Sequence, residues 1–185
     1  MGKIVLLRHG EVDIKDYKRV SAKEFGEWIL RYDSADIISK FPSKAKIESL
    51  FNSSDILVCS SLKRSLCSVK IFNKTPSEVN SLFNEAQVPY NNWSLLKLNP
   101  KVWLLFFRVL WFLGYCKYSE SYKESKHRAK RAAKRLVELS KEDKTVVLIG
   151  HGIMNRLIQK ELILSNWKES KKSKSSNWDY GVFKR

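Results

Sequence analysis

Two of the three histidines in the chain, His9 and His151, each follow a short apolar run and each precede a glycine. In Leu6-Leu7-Arg8-His9-Gly10 and in Leu148-Ile149-Gly150-His151-Gly152, an imidazole arrives where a buried strand gives way to polar chain. A third apolar run, Ile56-Leu57-Val58-Cys59, leads into Ser60-Ser61 and shortly afterwards Arg64. Imidazoles serve as nucleophiles and proton carriers. Guanidiniums present a planar fork that matches two oxygens of one anion. Arg8, His9, Arg64 and His151 together suit a phosphoryl group, whose anionic oxygens must be neutralised during transfer. Four such side chains do this without a metal or cofactor, and neither is expected. Taken singly each is ordinary: a lone Arg-His-Gly arises by chance, Arg8 suits a structural ion pair, and a single histidine is as readily a hydrogen-bonded core residue. The repeated context separates this pair from His127, which lies in a Lys/Arg-rich stretch and reads as a surface residue.

For these side chains to meet, the apolar runs must be strands of one sheet with their carboxyl ends on one side, where open α/β sheets bind ligands. Strands are predicted over residues 3–7, 55–61 and 145–149, with a weaker one over 79–83 ending near Glu85 and a last one over 180–184. Helical spacing fills the intervals. Ser21 with Glu24 forms a capping box ahead of Phe25, Trp28 and Ile29, and Ser121 with Glu124 opens a long basic helix through Ala129, Ala133, Leu136 and Leu139. Residues 62–72 and 153–164 are also read as helices, and a helix opening near Ser61 or Gly152 would aim backbone N–H groups at the same anion. Residues 168–177 read as a polar loop. The alternation predicts an α/β fold, a three-layer α/β/α sandwich with a mostly parallel central sheet, as one domain over residues 1–185.

The chain of 185 residues carries 35 Lys plus Arg against 19 Asp plus Glu, a formal net charge of +16. Such a field attracts phosphorylated metabolites, nucleic acid or an anionic membrane surface, and a solvated lysine-rich surface accounts for it equally well. No basic motif interleaved with aromatics is present, which disfavours nucleic acid. Cys59, Cys67 and Cys116 form no pairing pattern and read as free thiols. The amino-terminal apolar run is too short for a secretion signal, so a cytoplasmic location is expected. Residues 102–115 are apolar around almost the whole helix, yet this stretch, interrupted by Arg108, is too short to span a bilayer. It reads as a buried or cap helix packed over the core, the alternatives being a lid over the site or an interfacial helix between Lys101 and Lys117 that contacts a membrane surface. Trp103, Phe106, Phe107 and Trp111 favour a substrate with an apolar or planar part.

Leu6-Leu7-Arg8-His9-Gly10-Glu11 resembles the signature of the histidine phosphatase superfamily, which includes the cofactor-dependent phosphoglycerate mutases. Ser60-Ser61-Leu62-Lys63-Arg64 resembles its second motif and Val147-Leu148-Ile149-Gly150-His151-Gly152 its third, in the family's order. The resemblance implies a phosphoglycerate mutase-like fold in which His9 attacks phosphorus and forms a phosphohistidine that water hydrolyses. It implies that Arg8, Arg64 and His151 hold the phosphoryl oxygens, and that a carboxylic acid protonates the departing alkoxide. Glu85, in Asn84-Glu85-Ala86, matches that acid by position; partial burial would raise its pKa. Glu11 is the competing carboxylate, and Glu120 reads as helix-terminal structure. The chain departs from the family with Val12 and Lys15 where Thr and Asn are frequent, and with Ser61 and Ser68 where Pro and Thr are. The implied activity is hydrolysis of a small phosphorylated metabolite. The alternatives are a mutase-type phosphotransferase, whose members carry longer insertions, and a weakly catalytic relative that binds a phosphorylated partner. A nucleotide precursor resembling α-ribazole phosphate, a sugar phosphate and a phospholipid-type headgroup all stay open as substrates, as do the pathway and the oligomeric state.

Overall fold

The computed structural model describes residues 2–14, 18–174 and 176–185, so Lys15 lies outside the described residues. Six strands form one sheet: β1 (Lys3–Arg8), β2 (Ile56–Cys59), β3 (Glu78–Val79), β4 (Thr145–Gly150), β5 (Lys168–Lys171) and β6 (Tyr180–Lys184). Their order is β3-β2-β4-β1-β6-β5. The first four run parallel, while β6 pairs antiparallel with β1 and β5 antiparallel with β6. Among the described residues the helices are α1 (Ala22–Ser34), α2 (Lys44–Asn52), α3 (Lys63–Lys70), α4 (Pro100–Phe112), α5 (Tyr122–Leu139) and α6 (Gly152–Leu164).

Strand alternation divides the core into two halves. Ile4, Leu6, Val146 and Leu148 pack on one face of the sheet against Ala129, Leu136, Met154 and Ile158 of α5 and α6. Val5, Leu7, Val147 and Ile149 pack on the other face against Ile47, Phe51 and Val69 of α2 and α3. Both faces of β1 and β4 are therefore covered, which is why their sequences are unbroken apolar runs and why the molecule is the expected α/β/α sandwich. Both capping boxes form as expected, Ser21 with Glu24 and Ser121 with Glu124.

Several elements differ from the expectation. Residues 79–83 do not form a strand: β3 stops at Val79, and Ser81–Phe83 is a 3₁₀ turn. The cause is Asn80, whose side chain accepts the Leu82 N–H and so draws the backbone out of the ladder. The segment 168–177, expected as a loop, begins with edge strand β5. Its charged sequence Lys-Glu-Ser-Lys has no buried face and so gives no apolar alternation. Helix α2 was not expected, because only Ile47, Leu50 and Phe51 of its nine residues face the core.

The apolar segment forms α4, opened by Asn99 as cap and Pro100 in the first turn. It is not buried all round. Only Pro100, Trp103, Phe107 and Trp111 are covered; Trp103 and Phe107 pack against Phe25 and Trp28 of α1 in a third apolar cluster, and Trp111 packs against Tyr122 of α5. The Trp103 indole N–H donates to the Val20 carbonyl at 2.7 Å and fixes this pairing. Among the described residues no helix is long and apolar enough to cross a membrane.

Candidate active site

The site begins with the pairing of β1 and β4, which sets Arg8 opposite Gly150. His9 and His151 are the next residues on each strand, and their ring centroids lie 5.0 Å apart at a 55° tilt. The loop carrying His9 is tied down on every side. Its own N–H donates to the Gly150 carbonyl at 3.1 Å, and the Asn177 amide donates to the His9 and Gly10 carbonyls at 2.9 and 3.1 Å. The Gly10 N–H donates to Ser68 Oγ at 2.9 Å, and that hydroxyl in turn donates to the Arg64 carbonyl. Gly10 has no substitute here, since a Cβ would sit 2.6 Å from the Trp178 ring. Ser68, a departure from the family's usual Thr, retains the hydroxyl and spends it on holding this loop.

His9 is 2% exposed, and its Nδ1 lies 2.7 Å from the Gly10 carbonyl. A carbonyl only accepts, so Nδ1 carries the proton and Nε2 keeps its lone pair. Burial, reinforced by the positive potentials of Arg64 and Arg8, lowers the His9 pKa to about 3. The ring is therefore neutral and nucleophilic over the physiological range. His151, fully buried, is held well below its ordinary value, first by burial and then by Arg64. Arg64 Nε donates to His151 Nδ1 at 3.3 Å, and His151 Nε2 lies 2.6 Å from Ser60 Oγ. Ser60 Oγ also accepts the Leu62 N–H at 3.3 Å.

Arg64 is itself buried and donates to Asp33 Oδ1 at 2.6 Å, with its guanidinium 5.2 Å above the Tyr32 ring. Arg64 Nε and Nη1 are thus both engaged by protein groups. Glu85 is half-buried, with its carboxylate at the start of α6. It accepts the N–H groups of Ile153 at 3.2 Å, Met154 at 2.9 Å and Ala86 at 3.0 Å. The α6 amides expected to face a bound anion thus face Glu85 instead. Glu85 and Arg8 flank the same point beside Gly152, 3.7 and 3.6 Å from where a Cβ would stand. Glu11 is exposed and does not line the cavity. Glu120 pairs with Arg128, which also donates to the carbonyls of Leu82, Asn84 and Glu85 at 3.0, 2.7 and 3.3 Å. Glu120, expected as helix-terminal structure, lies just before α5 and also lines the cavity, while Arg128 clamps the turn that presents Glu85.

Four of these residues escape sequence reasoning. Arg128 is one cation among many on α5, Asp33 one charge on an amphipathic helix, and Asn177 lies in a segment read as loop. Ser60 alone has a signal, its place within the second motif. Arg8, His9, Arg64 and Glu85 reach an open cavity of about 780 Å³. Trp28, Ile29 and Tyr32 of α1 form one wall, and Leu104, Leu105 and Arg108 of α4 form the other. Arg108 is fixed by donating to the Ala86 carbonyl at 2.9 Å and by lying 4.8 Å over the Trp111 ring. Among the described residues no three His, Cys, Asp or Glu side chains gather as a metal-binding group. The cations lining the cavity are Arg8, Arg64, Lys101, Arg108, Arg128 and Arg156.

This fold is that of the phosphoglycerate mutase-like histidine phosphatases. The chain superposes on the product of an open reading frame of Mycobacterium tuberculosis with a TM-score of 0.65 at 18% identity, covering 98% of this chain and 90% of that one. A mutant phosphoserine phosphatase from Entamoeba histolytica, in complex with phosphoserine, gives 0.55 at 18% identity over 98% of this chain and 90% of that one. The ecdysone phosphate phosphatase of Bombyx mori, in complex with tungstate, gives 0.54 at 14% identity over 100% and 90%. No protein-family model matches the chain, and no curated protein matches its sequence.

Two outcomes follow from the charges. Replacing Asp33 by Asn releases Arg64 from a half-exposed partner. A pair of this kind is worth about 1 kcal/mol, so inhibition by inorganic phosphate should tighten about fivefold. Weaker inhibition would instead assign Asp33 the task of orienting Arg64. The second concerns pH. The unfolded chain protonates His9 near 6.5 while the folded chain does so only near 3. The stabilisation is complete above pH 6.5 and is lost progressively as pH falls toward 3, amounting to about 2 kcal/mol at pH 5 from this residue. Urea unfolding at neutral and acid pH should show a shallower acid loss for His9→Gln than for the parent chain.

Proposed function

We propose that the chain hydrolyses phosphomonoesters through a phosphohistidine on His9, with no metal required. The observation that carries this reading is the His9 ring. It is buried and neutral, its Nδ1 proton is committed to the Gly10 carbonyl, and its Nε2 is left to a cavity floor shared with Arg8 and Arg64. An ester phosphate seated there meets a nucleophilic nitrogen and two fixed cations.

The reaction runs in two balanced steps. The Nε2 lone pair forms the N–P bond as the P–O bond to the alcohol breaks, and protonated Glu85 gives its proton to the departing oxygen. The Glu85 carboxylate then takes a proton from water, whose oxygen attacks phosphorus, and N–P cleavage returns His9 to its neutral form. Arg8 and Arg64 hold the equatorial oxygens. Arg64 is drawn to them from Asp33, because a phosphate dianion offers its fork more charge than one half-exposed carboxylate. His151 joins through Ser60. His151 Nδ1 accepts the Arg64 Nε–H, so its proton rests on Nε2 and is donated to Ser60 Oγ, which fixes the ring that steadies Arg64.

The substrate class is a small phosphorylated metabolite whose alcohol has an apolar part, matching the Ile29, Leu104 and Leu105 walls. A phosphatase neighbour binds phosphoserine and another is named for ecdysone phosphate, so the fold tolerates very different alcohols. The mutase alternative requires the phosphoryl group to be retained, and the wide cavity gives water access to it.

Turnover of p-nitrophenyl phosphate in EDTA, with acid-labile and base-stable phosphate trapped on the parent chain but not on His9→Ala, is the expected result. Binding without product release would leave only a phosphate-binding module. Glu85→Gln should slow an alkyl phosphate by about a hundredfold and p-nitrophenyl phosphate far less, since nitrophenolate leaves without a proton. Equal slowing of both, together with a lowered Tm, would reduce Glu85 to the cap of α6.

A further inference from the structure

Helix α4 has three sides: one packs on the core, one faces the cavity, and the third is largely exposed, with its Phe112 ring 5.3 Å from Tyr122 of α5. Pro100, Trp103, Phe107 and Trp111 face the core, and Leu104 and Arg108 face the cavity. The remaining side carries Val102, Leu105, Phe106, Val109, Phe112 and Leu113, spaced three and four residues apart on one surface. All six are exposed, Leu105 by 68% and Leu113 by 79%. A solvent-facing helix side is ordinarily charged or polar, so an unbroken apolar one marks a contact. The chain leading into the helix carries further exposed apolar residues, Trp93, Leu95 and Leu96, of which Leu95 is 100% exposed.

The charge around this surface selects its occupant. From Ala86 to Ser119 the sequence has no acidic residue, while Lys97, Lys101, Arg108 and Lys117 lie within it. Lys97, Lys101 and Lys117 are exposed, at either end of the helix. Two copies meeting across this patch by a two-fold axis would set like charge on like charge, with +16 on each chain and Glu24, near Lys97, as the neighbouring carboxylate. An anionic bilayer supplies both missing components, an apolar interior for the side chains and negative headgroups for the lysines. We propose that α4 and the preceding Trp93–Leu96 residues dock this protein flat on an anionic lipid surface. The helix is too short to span and needs only to lie in the headgroup boundary. Leu105 belongs both to this surface and to the cavity wall, so docking brings the cavity mouth to the membrane. The docking stands independently of the chemistry proposed for His9.

The test is co-sedimentation of the full chain with vesicles of phosphatidylcholine alone or containing about one third phosphatidylglycerol, at physiological salt. Binding is expected to the anionic vesicles and not to the neutral ones. The double substitution Val109→Glu with Leu113→Glu should weaken it by about tenfold or more, leaving p-nitrophenyl phosphate turnover and Tm unchanged. Should that variant fold poorly, Lys97→Glu with Lys117→Glu carries the same expectation without touching the helix's apolar side. Absence of binding to anionic vesicles by the parent chain overturns the proposal. So does undiminished binding by the glutamate variants, which would leave a diffuse charge effect. A concentration-dependent dimer in sedimentation velocity that Val109→Glu with Leu113→Glu dissolves would assign the surface to a second copy instead.

Discussion

The parallel register of β1 with β4 is the constraint from which the site follows. Because Arg8 lies opposite Gly150, the chain turns out of both strands at the same height, and the two imidazoles emerge side by side with 5.0 Å between centroids. A one-residue slip in either strand would send one histidine to the opposite face of the sheet. Register is held by burial on both faces, since Val5 and Leu7 require one layer of helices while Ile4 and Leu6 require the other. The hydrophobic core does not merely support the geometry of the candidate site; it sets the height at which the polar chain begins.

A cluster of two arginines and two histidines is electrostatically unfavourable, and the structure relieves it in two ways. Burial and the neighbouring guanidiniums keep both imidazoles uncharged, which removes two of four positive charges and leaves the His9 Nε2 lone pair unprotonated. The protein's own carboxylates take the remaining cations and dipoles: Asp33 faces Arg64, and Glu85 faces the amino end of α6 next to Arg8. Both carboxylates line the cavity, where a phosphoryl group would compete with the first and require the proton of the second. The same interactions therefore define what an incoming anion would have to displace.

Sequence reading reached the parts of this arrangement that rest on strong local patterns. Doubly buried strands, capping boxes and an imidazole at a strand end all leave a signature in a handful of contiguous residues. It failed where a residue's importance comes from a distant partner. Arg128 is indistinguishable in sequence from Lys130 or Arg131, yet it alone reaches the carbonyls of the turn that carries Glu85. Edge strand β5 and helix α2 were missed for a related reason: with little buried face, their formation depends on a neighbour rather than on their own periodicity. The 79–83 segment shows the converse, where apolar composition suggested a strand and one asparagine side chain redirected the backbone.

Helix α4 joins these considerations. Its composition alone suggested burial all round, but a helix lying over the open end of a sheet has only one flank against the core. Using Trp103, Phe107 and Trp111 on that flank anchors it firmly enough for Leu104 and Arg108 to form a defined cavity wall. Nothing in that duty requires Val102, Val109 or Leu113 to be apolar, since charged residues there would hold the wall equally well and be better solvated. The apolar outer side is therefore surplus to folding and to the cavity alike. Surplus exposed apolar surface promotes aggregation, and its presence in a segment free of carboxylates ties it to a contact outside the chain.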